Sequence, residues 1–311
     1  MITVRCPVRV SLIGGSSDLP SYLDKHGRGS VISFTPRLYT YVSVYSDLLG
    51  RNKLDNKYIV NYSKREEVCN VNDIENDLVR NYFRKRNIPP CSVHMTSDIF
   101  SHGSGLAVSS SYSCSLVHAI EEMYGRGLTN VECGIRAHNL EKTFNPLLGL
   151  QDVYGCCVGG FKKIVFEKDK LPQYTFLPTQ LFDLYDAYLV FTGITRSSTE
   201  VLKTIKVPDT DILNPLVEKG EQALMVGDYY KFFNIINEGW EAKKRSSNLI
   251  TENENIKKLD KQITMLEGYK AHKLCGAGNG GFFLCFLSVG VEPPENFFKL
   301  HLSNSGVERV L

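Results

Sequence analysis

Gly103-Ser-Gly-Leu-Ala-Val-Ser-Ser-Ser111 places two glycines and then a cluster of serines ahead of an apolar helical stripe. Glycines allow a tight backbone turn, and a helix opening just beyond them offers unpaired N–H groups at the positive end of its dipole. That combination suits an anion, phosphate above all. Ser109, Ser110 and Ser111 add hydroxyls able to touch phosphate oxygens or a magnesium ion. Serine is equally a favoured helix cap, so the segment taken alone also reads as an ordinary helix start after a loop. No Gly-Lys dipeptide occurs anywhere in the chain, which removes a P-loop of Walker type.

Three carboxylates stand near turns. Asp18 closes Gly14-Gly15-Ser16-Ser17, Glu141 lies late in a helical pattern, and Asp152 ends the Asn145-Pro-Leu-Leu-Gly-Leu-Gln stretch. Phosphoryl transfer asks for a metal ligand, a group that orients or deprotonates the attacking hydroxyl, and cations on the phosphates. Glu141 with Ser109 meets the first need and Asp152 the second, although any one carboxylate is also an ordinary solvated group. His138 and Glu141 share a helix face at i,i+3, a spacing that also suits a transition metal, but no third ligand is evident. The loop 276–281 fits Gly-x-Gly-x-x-Gly in form. A dinucleotide fingerprint opens a helix, whereas this loop opens the strand pattern Phe282–Leu287. Its four glycines imply a close backbone approach, to a ligand or to another loop. No His-Glu-x-x-His occurs and no Gly-x-Ser-x-Gly brackets Ser104, so metalloprotease and acyl-hydrolase readings fall away.

The elements that must position these residues follow from patterning. Val8–Ile13, Val31–Phe34, Tyr39–Tyr45 and Ser92–Thr96 read as strands, and residues 73–86 as a helix with a polar face. A helix follows the glycine–serine loop with Tyr112, Leu116, Ala119, Ile120, Met123 and Tyr124 on one face, and another spans Val131–Phe144. After a polar stretch with two prolines at about 168–186 the texture changes. A strand at Ala187–Thr192 precedes helices at Leu216–Val226, Tyr229–Glu241 and Ile256–Tyr269, and then the second glycine loop and its strand. The spacing predicts two α+β halves.

Composition closes several doors. Lys+Arg 36 against Asp+Glu 34 leaves +2, which argues against nucleic acid or an acidic membrane surface as partner. No apolar run approaches a membrane span, and the charged N-terminus lacks the apolar stretch of a signal peptide. Nine scattered cysteines without a Cys-x-x-Cys point to a reduced, cytoplasmic protein whose thiols are mostly small core residues.

Taken together, three segments resemble the motifs of the GHMP kinase superfamily, in order: Pro7–Asp18 on the substrate side, Gly103–Ser111 as phosphate loop, and Lys273–Phe282 supporting the site from the C-terminal half. The separation of Glu141 and Asp152 also suits the family's metal-ligand Glu and catalytic Asp. The resemblance implies an N-terminal β-rich domain (ribosomal protein S5 domain 2-like) at 1–180 and a C-terminal ferredoxin-like α+β domain at 181–311, with a nucleotide between them. It implies ATP and Mg2+ as cofactors, nucleotide contacts from Gly103, Ser104, Gly105, Leu106, Ala107, Ser109, Ser110 and Ser111, metal ligation by Ser109 and Glu141, and Asp152 as the catalytic residue.

Within the superfamily the chain resembles the D-glycero-D-manno-heptose 7-phosphate kinases through Gly14–Tyr22, Gln151–Tyr154, Thr192–Ser198 and Asn237–Lys244. These phosphorylate the anomeric hydroxyl of the sugar phosphate toward nucleotide-heptoses for surface glycans. Arg9, Gly15, Ser16, Ser17, Asp18, Lys25, His26, Arg28, Arg196 and Gly278 are the corresponding substrate-side residues; their cations suit an already phosphorylated sugar, since arginine forks match phosphate. The resemblance leaves room for a homodimer, for a kinase of an unphosphorylated sugar of fucose or galactose type, and for a catalytically weak sugar-phosphate binder. The last is motivated by Ala107 and Val108, which stand where the family has Gly-Ser. Asn279 likewise replaces a glycine of the third motif, a tolerable change if positive φ is needed there.

Overall fold

The computed structural model describes residues 1–46, 56–100, 103–195 and 207–311. The apolar run expected as one strand at 8–13 is divided between two sheets. β1 (Ile2–Pro7) ends at its proline, the Val8 N–H turns to the Leu38 carbonyl and the Arg9 N–H to that of Leu106, and β2 (Val10–Gly14) starts a new ladder. Proline has no N–H to extend the first ladder, which gives the break a cause in the sequence.

The first sheet has the order β14-β1-β4-β7-β5-β6, built from β1, β4 (Tyr39–Tyr45), β5 (Tyr58–Asn61), β6 (Arg65–Val68), β7 (Ser92–Ser97) and β14 (Glu308–Arg309). Only β5 and β7 run parallel. The alternation read at 39–45 is that of a sheet strand with one buried face. Three helices cover this sheet and pack on one another: α3 (Val108–Met123), α4 (Asn130–Glu141) and α5 (Gln151–Val158). α4 begins with a full capping box between Thr129 and Glu132. The helix expected at 73–86 is shorter, α2 (Asp77–Arg86), because Asn76 caps it by accepting from the Val79 N–H.

A second antiparallel sheet, β2-β3-β8-β9, adds β3 (Arg28–Phe34), β8 (Phe161–Glu167) and β9 (Gln173–Phe176), with α1 (Pro20–His26) between β2 and β3. After the short α6 (Leu181–Leu184), a third sheet holds β10 (Tyr185–Phe191), β11 (Tyr269–Leu274), β12 (Phe282–Ser288) and β13 (Phe297–Leu300) in the order β11-β12-β10-β13. Counted within this half, that is second-third-first-fourth, all antiparallel, the order of a ferredoxin-like plait. Helices α7 (Val207–Met225), α8 (Tyr229–Ser246) and α9 (Glu254–Thr264) lie between β10 and β11 in sequence. α7 packs on β2 and β3, and α8 on β11.

The chain does not keep strictly to halves divided at 180/181. One apolar core runs from Val10, Phe34 and Phe161 through Leu216 and Phe232 to Leu284 and Phe286. The tail expected in the second half runs back along the first: Ser303 N–H bonds Thr35 at 2.7 Å, Val307 N–H bonds Cys157 at 3.0 Å, and β14 pairs with β1.

A buried polar network stiffens the second half. Asp260 accepts from Trp240 Nε1 at 2.6 Å, from Lys244 at 3.0 Å and from His272 Nε2 at 2.8 Å, while His272 Nδ1 meets the Tyr269 hydroxyl at 2.7 Å. Burial works against the Asp260 charge, but His272, Trp240 and Lys244 outweigh it and bring the carboxyl down to about 2. A carboxyl depressed in the fold adds stability above its ordinary range near 4, and that stability is lost as pH falls through about 2. Asp260→Asn is therefore expected to cost about 2 kcal/mol at neutral pH. In urea unfolding at stepped pH, the parent and variant curves should converge between pH 4 and 2.

Candidate active site

The two glycine loops meet. A Cβ on Gly105 would lie 2.7 Å from the Cys275 carbonyl oxygen, one on Gly276 would lie 2.6 Å from Gly105 Cα, and one on Gly281 would lie 2.4 Å from the Ser104 carbonyl oxygen. The close approach expected of the second loop is thus to the first loop. Beside this contact opens a cleft of about 600 Å3, the size of a small-ligand site. It is lined from Gly14–Ser16, Asp18, Gly103–Gly105, Ala107–Ser110, Glu141, Phe144–Gly149, Gln151 and Asp152, and from the second half by Lys243, Lys273, Gly276, Ala277 and Gly280.

Arg9 organises the floor. Its guanidinium, 4% exposed, donates to Asp152 Oδ1 through Nε at 3.1 Å and Nη2 at 2.7 Å, and through Nη1 to the Gly105 carbonyl at 2.8 Å. One side chain therefore joins the carboxylate to the glycine loop. Burial works against the Arg9 charge, but the Asp152 carboxylate more than offsets this and raises the guanidinium above its ordinary value. Asp152 stands in the first turn of α5, where a negative charge meets the positive helix end.

Asp18 is buried on the other wall. Its Oδ2 accepts from the Gln151 N–H at 2.9 Å, whereas Oδ1 has no partner. Burial, with the Asp152 charge adding to it against the opposing Gln151 N–H, pushes the Asp18 carboxyl up to about 6. Gly149 makes the room, since a Cβ there would fall 2.0 Å from Asp18 Oδ2.

Glu141, at the end of α4 and 2% exposed, faces the serines that open α3. Burial drives its carboxyl up to about 7; hydrogen bonds from Ser110, Ser109 and Ser113 pull it down, and the Asp152 charge raises it. A buried carboxylate ringed by hydroxyls and lacking a cation partner is a hard-oxygen donor set, and a Mg2+ ion would relieve it. Ser109, exposed at the cleft, and Glu141 are the residues that would hold such an ion.

Several expected residues stand elsewhere. Ser111 is interior, donating to the Cys6 carbonyl at 2.7 Å and sharing a hydrogen bond with Thr40, and Leu106 is a core residue. Ser17 is turned from the cleft into a reciprocal pair with Ser30, at 3.0 and 3.1 Å. Lys25, His26 and Arg28 are exposed outside the cleft; His26 stacks on Tyr22 at 4.3 Å between ring centroids. Their closeness to Asp18 in sequence misleads because α1 carries them past it. Gly278 is packed against Ile250 and does not line the cleft, while Gly276, Ala277 and Gly280 do. Arg196 lies outside the described residues.

Two cations add to the site. Lys273 is buried with Nζ on the Leu12 carbonyl at 3.0 Å, and burial lowers it to about 8. Lys243 Nζ donates to the Leu274 and Gly276 carbonyls. Both fall inside the segments Lys273–Phe282 and Asn237–Lys244 that carry the resemblance, the signal that would have found them. His138 is half-buried with Nε2 unpartnered and is pushed down to about 4, by burial first and by the Lys142 charge next. It belongs to no metal-capable cluster among the described residues.

Ala107 caps α3 with φ +59, and Asn279 has φ +57. Both departures from glycine thus take the left-handed backbone a glycine would take. Alanine is strained there by about 1–2 kcal/mol, and glycine gives back part of that through its freer unfolded chain. Ala107→Gly is expected to stabilise the protein by about 0.5–1 kcal/mol, read as a higher midpoint in urea.

Residues 73–160 match the model of the GHMP kinases N terminal domain, a span that holds the Gly103–Ser111 loop, Glu141 and Asp152. The chain resembles the GHMP kinases over that span. It is 26% identical to a D-glycero-alpha-D-manno-heptose 7-phosphate kinase of Campylobacter jejuni, over 95% of this chain and 91% of that one. It is also 28% identical to the L-fucokinase/L-fucose-1-P guanylyltransferase of Bacteroides fragilis, over 58% of this chain but 20% of that longer protein. The fold is that of a crystal structure described as a D-glycero-D-manno-heptose 1-phosphate kinase, with TM-score 0.74, 20% identity and coverage of 99% and 98% of the two chains. The GHMP kinase fold accounts for both glycine loops: one opens α3 and the other buttresses it. No helix among the described residues is long and apolar enough to cross a membrane.

Proposed function

We propose that the protein is an ATP-dependent sugar kinase that phosphorylates the anomeric hydroxyl of D-glycero-D-manno-heptose 7-phosphate, giving the 1,7-bisphosphate. The observation that carries the kinase reading is the Arg9–Asp152 pair locked to the Gly105 carbonyl, with Glu141 and the serine hydroxyls beside it. The N–H groups opening α3 receive the ATP phosphates. Mg2+, held by Ser109 and Glu141, would supply charge neutralisation at the phosphates. Asp152 orients the sugar hydroxyl and takes its proton as that oxygen bonds to the γ-phosphorus; the bridging P–O bond breaks and ADP leaves. Asp18, with one oxygen unpartnered, accepts a hydrogen bond from a sugar hydroxyl.

The heptose 7-phosphate assignment draws support from the Campylobacter relative. One observation favours a second reading, a kinase of an unphosphorylated sugar: Lys25, His26 and Arg28 lie outside the cleft, so the described residues offer few arginine forks for a second phosphate. Phosphorus NMR of the protein with ATP, Mg2+ and, in turn, heptose 7-phosphate, L-fucose and D-galactose separates the two. A new anomeric phosphate signal with the heptose 7-phosphate alone is expected. Turnover of a free sugar only would transfer the function to the second reading, and none with any sugar would remove the kinase reading.

A further inference from the structure

Three buried cysteines come together away from the cleft. Cys114 lies in the middle of α3, Cys133 in the first turn of α4 and Cys157 near the end of α5, all fully buried. Their sulfurs lie within 4.8 Å of one another. A tetrahedral Zn–S distance of about 2.3 Å sets sulfurs about 3.8 Å apart, so small rotations would close the triad on one ion.

A fourth side chain stands beside the triad, outside the 4.8 Å grouping of the three sulfurs, and would have to turn in to complete a tetrahedron. His118 follows Cys114 by one helical turn on the same face and is 7% exposed. Its Nδ1 has no hydrogen-bond partner, and the ring bears on the Cys133 thiol. The other ring nitrogen, Nε2, faces Glu122 Oε1 at 3.6 Å. A carboxylate on that side favours the tautomer protonated at Nε2, with Nδ1 left as the donor nitrogen.

We propose that Cys114, Cys133 and Cys157, with His118 as fourth donor, form a buried tetrahedral site for a thiophilic divalent cation, zinc in the first instance. Binding replaces three S–H bonds by metal–sulfur bonds and releases three protons to solvent; no electron is transferred. Three thiolates and a dication leave one negative charge. Lys162 answers it: its buried Nζ is held by the Gly155 carbonyl at 2.9 Å, within electrostatic reach of Cys157. Soft sulfur donors select zinc over magnesium, so this site does not compete with the oxygen donors at Glu141. Each of the three helices also carries a cleft residue, Ser109 on α3, Glu141 on α4 and Asp152 on α5. The ion would pin together the helices that assemble the site.

The full chain, purified with zinc present and dialysed against a weak chelator, is expected to retain about one zinc per chain by elemental analysis. Cobalt substitution of the unaltered protein should give an intense near-ultraviolet thiolate-to-cobalt band with tetrahedral d–d bands in the red, a readout that needs no variant. Cys133→Ser and His118→Ala should lower metal affinity at least about tenfold, while Cys285→Ser, in a different core, leaves it unchanged. A folded chain with neither zinc nor the cobalt bands overturns the proposal. So does a mass two hydrogens lighter with a disulfide mapped inside the triad.

Discussion

Asp152→Asn is expected to lower kcat by about 10²–10⁴ while leaving KM for ATP nearly unchanged. The amide matches the carboxylate in shape and keeps an oxygen for the Nε and Nη2 donors of Arg9, so Gly105 stays tethered through Nη1. On the proposed mechanism, what is lost is the ability to take the hydroxyl proton in the transition state, which affects the chemical step and not the binding of nucleotide. The variant also leaves the buried Arg9 charge without its counterion. That costs about 1–3 kcal/mol, which a 311-residue fold tolerates. Stopped-flow or coupled-assay kcat, paired with calorimetric ATP binding on the same preparation, separates the two effects. Full turnover in a variant that still binds ATP would remove Asp152 from the chemistry. Lost turnover together with lost ATP binding would reassign it to holding the phosphate loop.

The sequence points to Asp152 as a cleft residue, which is where it stands, but not to its pairing with Arg9. Arg9 and Asp152 are separated by 143 positions, and nothing in either neighbourhood announces that they meet. The same limit governs the misplaced cations. Lys25, His26 and Arg28 follow Asp18 closely, yet α1 carries Lys25 and His26 past the cleft, and Arg28 follows beyond the Gly27 cap. Lys243 and Lys273 arrive from a different half through α8 and β11. Local chemistry was easier to read than long-range pairing. The serine-opened helix, the strand at 39–45 and the positive-φ tolerance of Asn279 each depend on a few neighbouring residues. β8 was missed because Lys162 and Lys163 break its apolar pattern; both are buried, Lys162 on backbone carbonyls and Lys163 between Glu218 and Glu221. The helix expected to run to Tyr269 stops at Thr264, and the strand β11 starts at Tyr269. The resemblance implies serines 17 and 111 as cleft residues. Their hydroxyls are in fact spent on backbone carbonyls, a choice that only tertiary packing determines.

The loop-on-loop contact makes the sharpest structural forecast. Gly281→Ala should destabilise the protein by about 2–5 kcal/mol, lowering Tm by roughly 5–15 °C, and raise KM for ATP in what remains folded. Two causes add. Gly281 has φ +87, a backbone that alanine adopts only under strain, and a Cβ there would lie 2.4 Å from the Ser104 carbonyl oxygen and 2.8 Å from that of Gly103. Relief cannot come from a rotamer change, because the obstructing atoms are backbone. Either the 103–105 loop moves off the helix it opens, or β12 shifts and breaks the bonds from Gly281 N–H to Ile194 at 2.9 Å and from Thr192 N–H to the Gly281 carbonyl at 3.0 Å. The first route disturbs the phosphate cradle and the second the ladder behind it. Gly127→Ala is the matched control, since no atom lies within 4 Å of its added Cβ and its φ is not positive. It should change stability by less than about 0.5 kcal/mol and leave ATP binding alone. Equal tolerance of both substitutions in thermal unfolding would mean that the two glycine loops do not bear on each other, and that the C-terminal half does not buttress the phosphate site.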